Sequence, residues 1–195
     1  MELWHAWTCP YSQRVRIALA EKGLSVDEHV VDLANKPAAL LALNPAGGVP
    51  VLVVDGLAIP DSSLILQFLE DRAPEPALLP ADPLGRARTR LLYERITSGL
   101  GPHLPKLLRG SDDEKERAGQ AVVAALTALE RDAPEEGFLA GPFSIADIAL
   151  APFVARLPRP LRPASLGLPR LARWEARALA RPSVAAVVGL GPRLT

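Results

Sequence analysis

Apolar positions recur along the chain with two spacings: short runs of period two mixed with helical spacing up to Pro80, and helical spacing alone beyond Pro83. Leu3 to Trp7 reads as a short strand. Val15, Ala18, Leu19 and Lys22 then keep one helical face, which Gly23 is placed to close. Val26 to Asp32 is a second strand and Lys36 to Leu43 a short helical turn with a proline at its front. Val49-Pro50-Val51-Leu52-Val53-Val54 is β-branched and bounded by Gly47-Gly48 and Asp55-Gly56. Asp55-Gly56 is a hairpin turn signal leading into Leu57-Ala58-Ile59. Asp61 caps a helix carrying Ile65, Phe68, Leu69 and Arg72. The order β-α-β-α-β-β-α predicts an α/β domain over residues 1–75.

Ala73-Pro74-Glu75-Pro76 and the Pro80 to Pro83 region predict a linker, residues 76–82. An all-α helical domain is expected over 83–195. Leu84 to Leu108 reads as a long helix broken near Gly99–Pro105, followed by Asp112 to Arg131. Ser144 is an N-cap with Asp147 three residues on, a capping box that assigns Asp147 to folding rather than catalysis. Pro152 is expected to kink that helix. Arg170 to Arg181 is a last helix, and the tail beyond it is meagre.

With 195 residues and 49% hydrophobic content the chain has ample material for a core. No apolar run approaches the ~18 residues that span a bilayer, and no secretory signal is visible. One cysteine excludes an intrachain disulfide, and no metal-ligand cluster stands out, so a cytoplasmic protein without membrane or metal is expected. Acids and bases balance at 22 each, but residues 1–80 carry 10 acids and 5 bases (net −5), and the remainder is net +5. Seven arginines between Arg156 and Arg181 face one acid, Glu175. With few aromatic stacking groups there, they are expected to solvate a face or pair with the acidic half, not to bind nucleic acid.

Cys9 is the lone cysteine. It follows the first strand segment and precedes a helix that Pro10 can open. Unpaired N–H groups and the positive end of the macrodipole converge at such a place, which predicts a thiolate-prone sulfur rather than a small buried hydrophobe.

Cys9-Pro10-Tyr11-Ser12-Gln13-Arg14-Val15, Asn44-Pro45-Ala46-Gly47-Gly48-Val49-Pro50-Val51-Leu52, Asp61-Ser62-Ser63-Leu64-Ile65 and the Ser144–Asp147 box, in this order, resemble the glutathione transferase superfamily over nearly the whole chain. The resemblance implies a thioredoxin-like N-terminal domain followed by an all-helical one. The Cys-Pro-Tyr-Ser start and Asn35-Lys36-Pro37 look like the cysteine-dependent omega-like and dehydroascorbate-reductase-like classes. It further implies a cis bond between Val49 and Pro50, with the Val49 backbone pairing with the cysteinyl part of glutathione. Asp61 and Ser62 would receive the γ-glutamyl end, Ser62 and free helix N–H groups taking its carboxylate. Asp61 stands where the family more often has Glu. Lys36 would meet the glycyl end, and Tyr11 lies at the rim. Tyr93, Arg90 and Trp7 are candidates to line the second substrate's pocket, left open by the short tail. His5, His29 and His103 share no pattern and are expected to be structural; His5 merits inspection.

The chemistry implied is glutathione-dependent thiol transfer to a small electrophilic or disulfide substrate, with glutathione as co-substrate. Ser12 stands where dithiol glutaredoxins carry a resolving cysteine, so resolution must come from outside. The alternatives are a conjugating or isomerising transferase (maleylacetoacetate isomerase, dehalogenase or etherase type) and a non-catalytic interaction module of the stringent-starvation kind. A homodimer is implied, its acidic half against its basic half.

Overall fold

The computed structural model describes residues 1–189. They divide into two units, Met1–Leu78 joined by the chain from Ala186, and Leu79–Ala185. The first is the expected thioredoxin-like α/β layer. Strands β1 (Glu2–His5), β2 (Asp27–Val30), β3 (Val51–Val54) and β4 (Leu57–Ile59) form one sheet in the order β2-β1-β3-β4. Helices α1 (Pro10–Glu21), α2 (Ala38–Leu43) and α3 (Ser62–Arg72) complete it. β1 pairs parallel with β2 and antiparallel with β3, and β3 pairs antiparallel with β4. The β3–β4 turn places Asp55 at φ 51° and Gly56 at φ 85°, two left-handed residues as a tight hairpin demands.

Side chains alternate across β1. Trp4 packs with Leu43, Val49, Val53 and Ala58 against the buried cluster of Val31, Leu40 and Val51. Leu3 and His5 point to the other face and are wholly buried, and α1 and α3 pack on each other. At the end of α1 the buried Lys22 ammonium donates to Glu70 Oε2 at 2.8 Å, the Ala73 carbonyl at 2.6 Å and the Pro76 carbonyl at 3.1 Å. Glu70 also accepts from the Leu78 N–H at 3.1 Å. A buried ion pair is tolerable only when its remaining donors and acceptors are met. Here meeting them ties the chain leaving α3 to the end of α1. The helical pattern places Lys22 on a face but does not reveal this partner.

The second unit is all-helical: α4 (Pro83–Leu100), α5 (Leu104–Arg109), α6 (Asp112–Asp132), α7 (Ile145–Val154), a 3-10 turn (Arg159–Leu161) and α8 (Pro169–Ala180). The break between α4 and α5 falls in the expected stretch. Every residue of α7 is buried, as befits a helix apolar all round. Pro152 lies inside α7, in its final turn, without ending it. Ser144 and Asp147 make the capping box on α7; a second, Ser111 with Glu114, opens α6.

One reading is corrected here. The tail beyond Arg181, read as meagre, forms a further helix, α9 (Pro182–Val188), and Val184 and Val187 are buried. Residues 190–195 of the expected helical domain lie outside the described residues. Three of the clustered arginines find their acids within the second unit. Arg162 pairs with Glu175, Arg170 and Arg173 with Glu135, and Arg181 lies over Phe143 at 4.3 Å. Glu135 and Glu175 belong to the same unit as Arg162, Arg170 and Arg173 and are brought near them by folding.

Candidate functional site

The register gathers the sequence motifs. Trp4 pairs with Val51, His5 with Val30, and Leu52 with Ile59. The C-terminal ends of β1, β2 and β4 and the start of β3 therefore share one end of the sheet. Four connections leave it, carrying Cys9, Lys36, Val49–Pro50 and Asp61–Ser62.

Cys9 is the N-cap of α1, half-buried, with extended backbone angles of −80° and 119° and Pro10 following. Its side chain makes no cap hydrogen bond. The thiol donates instead to the Val49 carbonyl at 3.5 Å, across the cis Val49–Pro50 bond that the resemblance implies. The loop before Cys9 is pinned: the Cys9 N–H donates to the Ala6 carbonyl at 3.1 Å, and the Ala6 N–H to Ser12 Oγ at 3.3 Å. Ser12, at the resolving-cysteine position, is buried and serves as that acceptor.

Lys36 is exposed and lies over Gly47. A Cβ added at Gly47, whose φ is +64°, would sit 3.0 Å from the lysine Nζ. A glycine there both adopts the left-handed turn and lets the ammonium lie over the loop leading to Val49. Asn44 closes the same loop, donating from Nδ2 to the Gly48 carbonyl at 3.0 Å.

Asp61 is the exposed N-cap of α3, and Oδ1 accepts from Ser63 N–H at 2.8 Å and Leu64 N–H at 3.0 Å. The helix N–H groups expected to be free for a ligand carboxylate are thus in part occupied by Asp61 itself. Ser62, buried, follows at the first helical position. Tyr11 is half-buried and packs its ring under the Arg14 guanidinium, 5.0 Å from its centroid, so the first helix holds it. Trp7 lies under Arg16 at 4.1 Å, and Tyr93 is buried in the second unit. Among the described residues no group of three or more His, Cys, Asp or Glu side chains is placed to hold a metal, and no helix is long and apolar enough to cross a membrane.

His5 is the unusual member. It is fully buried, and neither ring nitrogen has a hydrogen-bond partner among the described residues. Its ring meets Trp7 edge-on at 4.9 Å, and Nε2 stands 3.7 Å from Glu28 Oε1, beyond hydrogen-bond reach. Burial pushes its pKa below the ordinary 6.5; Glu28 pulls it up and Arg16 pushes it further down. The folded state therefore holds a neutral ring. As pH falls below 6.5 the unfolded chain takes up a proton that the folded one refuses, and stability declines. His5→Leu is expected to flatten the fall in melting temperature between pH 7.5 and 5.5. An equal fall in both proteins would refute this.

Comparison with known proteins adds to this geometry. The glutathione S-transferase N-terminal domain matches residues 8–72 and the C-terminal domain residues 112–177. A stringent starvation protein A homolog of Coxiella burnetii is 36% identical, over 76% of this chain and 71% of its own length. A maleylacetoacetate isomerase of Pseudomonas aeruginosa is 38% identical, over 78% of this chain and 79% of its own length. The structure of rice GST1 in complex with glutathione has a TM-score of 0.86 and 31% identity, covering 95% of this chain and 89% of that one. Omega-class and zeta-class structures are similar too, at TM-scores of 0.79 and 0.82 and identities of 29% and 27%. The similarity is therefore spread over several classes, and the expected omega-like assignment is not singled out by it.

Proposed function

Because the chain belongs to the glutathione S-transferase family, we propose that it is a glutathione-dependent thiol transferase with Cys9 as nucleophile, akin to the cysteine-dependent omega-like members. The observation that carries this reading is the Cys9 thiol poised 3.5 Å from the Val49 carbonyl at the shared end of the sheet. In this reading residues 1–75 bind glutathione, 76–82 link, and 83–195 form the helical domain.

Glutathione docks along the Val49 backbone as an added strand would, its cysteinyl N–H donating to the Val49 carbonyl. That carbonyl is the acceptor of the Cys9 thiol proton, so the ligand competes for it. Lys36 meets the glycyl carboxylate. Asp61 keeps one oxygen on its helix and offers the other to the γ-glutamyl ammonium, with Ser62 beside the adjoining carboxylate. Tyr11 borders the pocket. The Cys9 thiolate attacks the glutathionyl sulfur of a mixed disulfide, forming a Cys9–glutathione disulfide and expelling the substrate's sulfur as a thiolate. A second glutathione thiolate attacks that disulfide, restores Cys9 and leaves as oxidised glutathione. The sum is a thiol–disulfide exchange: one glutathione thiolate is consumed, the substrate's sulfur leaves as a thiolate, and the substrate's glutathionyl group becomes half of the oxidised glutathione.

Treatment with oxidised glutathione followed by intact-mass measurement is expected to show one glutathionyl group, removable by dithiothreitol. An unmodified chain, with binding of glutathione absent by calorimetry, overturns the reading in favour of an interaction module.

The similarity to a maleylacetoacetate isomerase supports a second reading, in which the thiol of bound glutathione itself adds to a carbon centre and leaves again. A cis–trans product formed without consumption of glutathione would identify it. We further infer a homodimer in a reducing cytoplasm. Leu84 and Leu91 stand exposed seven residues apart on one face of α4, an apolar stripe suited to a partner. Sedimentation as a monomer at micromolar concentration would exclude it.

A further inference from the structure

Gln13 lies one turn after Cys9 on α1 and is fully buried. Its backbone N–H donates to the Cys9 carbonyl at 3.0 Å, the first bond of the helix. Its side-chain amide nitrogen donates twice, to the Trp7 carbonyl at 2.9 Å and to the Val187 carbonyl at 3.3 Å. Trp7 sits in the loop between β1 and Cys9. Val187 sits in α9, 174 positions along the chain, with its own side chain buried. One NH2 group thus joins the loop that presents the sulfur to α9, the last helix among the described residues. The opposite side of that loop is already held by Ser12, through the Ala6 N–H.

We propose that Gln13 is a positioning residue that couples the C-terminal helix to the Cys9 thiol, so that anchoring of α9 at Val187 sets how well the sulfur is aimed. The proposal rests on Cys9 being the nucleophile and adds to it a dependence on the far end of the chain. The physical basis is the need of a buried carbonyl for a donor. Trp7 and Val187 share one amide group, so release of either carbonyl frees that amide to turn towards the other. Between His5 and Cys9 the chain has no helix or strand, only the turn bond from Cys9 N–H to the Ala6 carbonyl and the hold of Ser12, and neither of these fixes the Trp7 carbonyl. Misplacement of a reacting atom by an ångström is enough to lower a rate by orders of magnitude.

The test reads the sulfur directly as well as through turnover. Gln13→Met keeps the length of the side chain and removes both donors. Val187→Ala keeps the carbonyl but withdraws the buried side chain that anchors it. Each variant is expected to slow alkylation of Cys9 by iodoacetamide and to lower kcat for reduction of a glutathione mixed disulfide, by about tenfold for Gln13→Met. KM for glutathione should change less than about twofold, because the Val49 backbone is untouched. The double variant should be little worse than Gln13→Met alone, since both act through one hydrogen-bonded group.

Equal alkylation rates in Gln13→Met and the parent overturn the positioning role. Additive losses in the double variant, or an unchanged Val187→Ala, overturn the coupling to α9. A parent protein that is alkylated at Cys9 but transfers no thiol overturns the assigned reaction instead, and leaves the alkylation comparison to decide the role of Gln13.

Discussion

Cys9→Ser is expected to lower thiol transfer by about 10³-fold or more, while the protein remains folded. A serine hydroxyl is not appreciably ionised at neutral pH and forms no disulfide, so the covalent step is lost rather than slowed. Folding should not suffer. Cys9 is an N-cap whose side chain makes no cap bond, and serine is among the preferred N-cap residues. A serine Oγ also donates a stronger hydrogen bond to a carbonyl than a thiol does, so the contact with Val49 survives. The melting temperature should hold or rise.

The same variant separates the two enzymatic readings. If the working nucleophile is the thiol of bound glutathione, Cys9→Ser retains conjugating or isomerising turnover. Retention of mixed-disulfide reduction above about a tenth of the parent rate would remove Cys9 from the mechanism.

The second large effect is on stability. Asp147→Ala is expected to lower the melting temperature by about 10 °C, equivalent to about 3–5 kcal/mol for a chain of this size. Asp147 is fully buried. Its Oδ1 accepts from the Leu139 N–H at 2.9 Å and from Trp174 Nε1 at 2.7 Å; Oδ2 accepts from the Ser144 N–H at 2.9 Å and the Ser144 hydroxyl at 3.0 Å. Burial pushes its carboxyl above the ordinary 3.8, and these four donors pull it back. Removing the acceptor leaves the indole N–H of a fully buried tryptophan without a partner, releases the start of α7, and frees the Leu139 loop. Asp147→Asn should cost less, since one oxygen remains, but its NH2 must then face a donor. A shift within about 2 °C for Asp147→Ala would show that the group is not a node of the helical unit.

Asp147 also shows how far reading along the chain reaches. Ser144 three residues before it is enough to predict the capping box, because a cap is a contact within one turn of helix. Its bond to Trp174, 27 positions away, ties α7 to α8 and leaves no local trace. The Asp55-Gly56 turn and the Asp61 cap were readable for the same local reason. The partners of Arg162, Arg170 and Arg173 were not readable for the opposite one: their acids, Glu135 and Glu175, are chosen by helix packing rather than by nearness in sequence. The helix at Pro182–Val188 had a local signal, a proline at its front and Val184 and Val187 three apart, in a tail otherwise short of pattern.

The order of strands and helices, the helix caps and the place of the lone sulfur at a helix start thus follow from neighbours in the chain, since turn, cap and periodicity energies act over a few residues. The gathering of Cys9, Lys36, Val49 and Asp61 at one end of the sheet follows from strand order and register. So do the 3.5 Å contact of Cys9 with Val49 and the hold of Gln13 on Val187. Those depend on which surfaces bury each other, a choice made among partners tens to hundreds of residues apart and so decided only once the whole chain has packed.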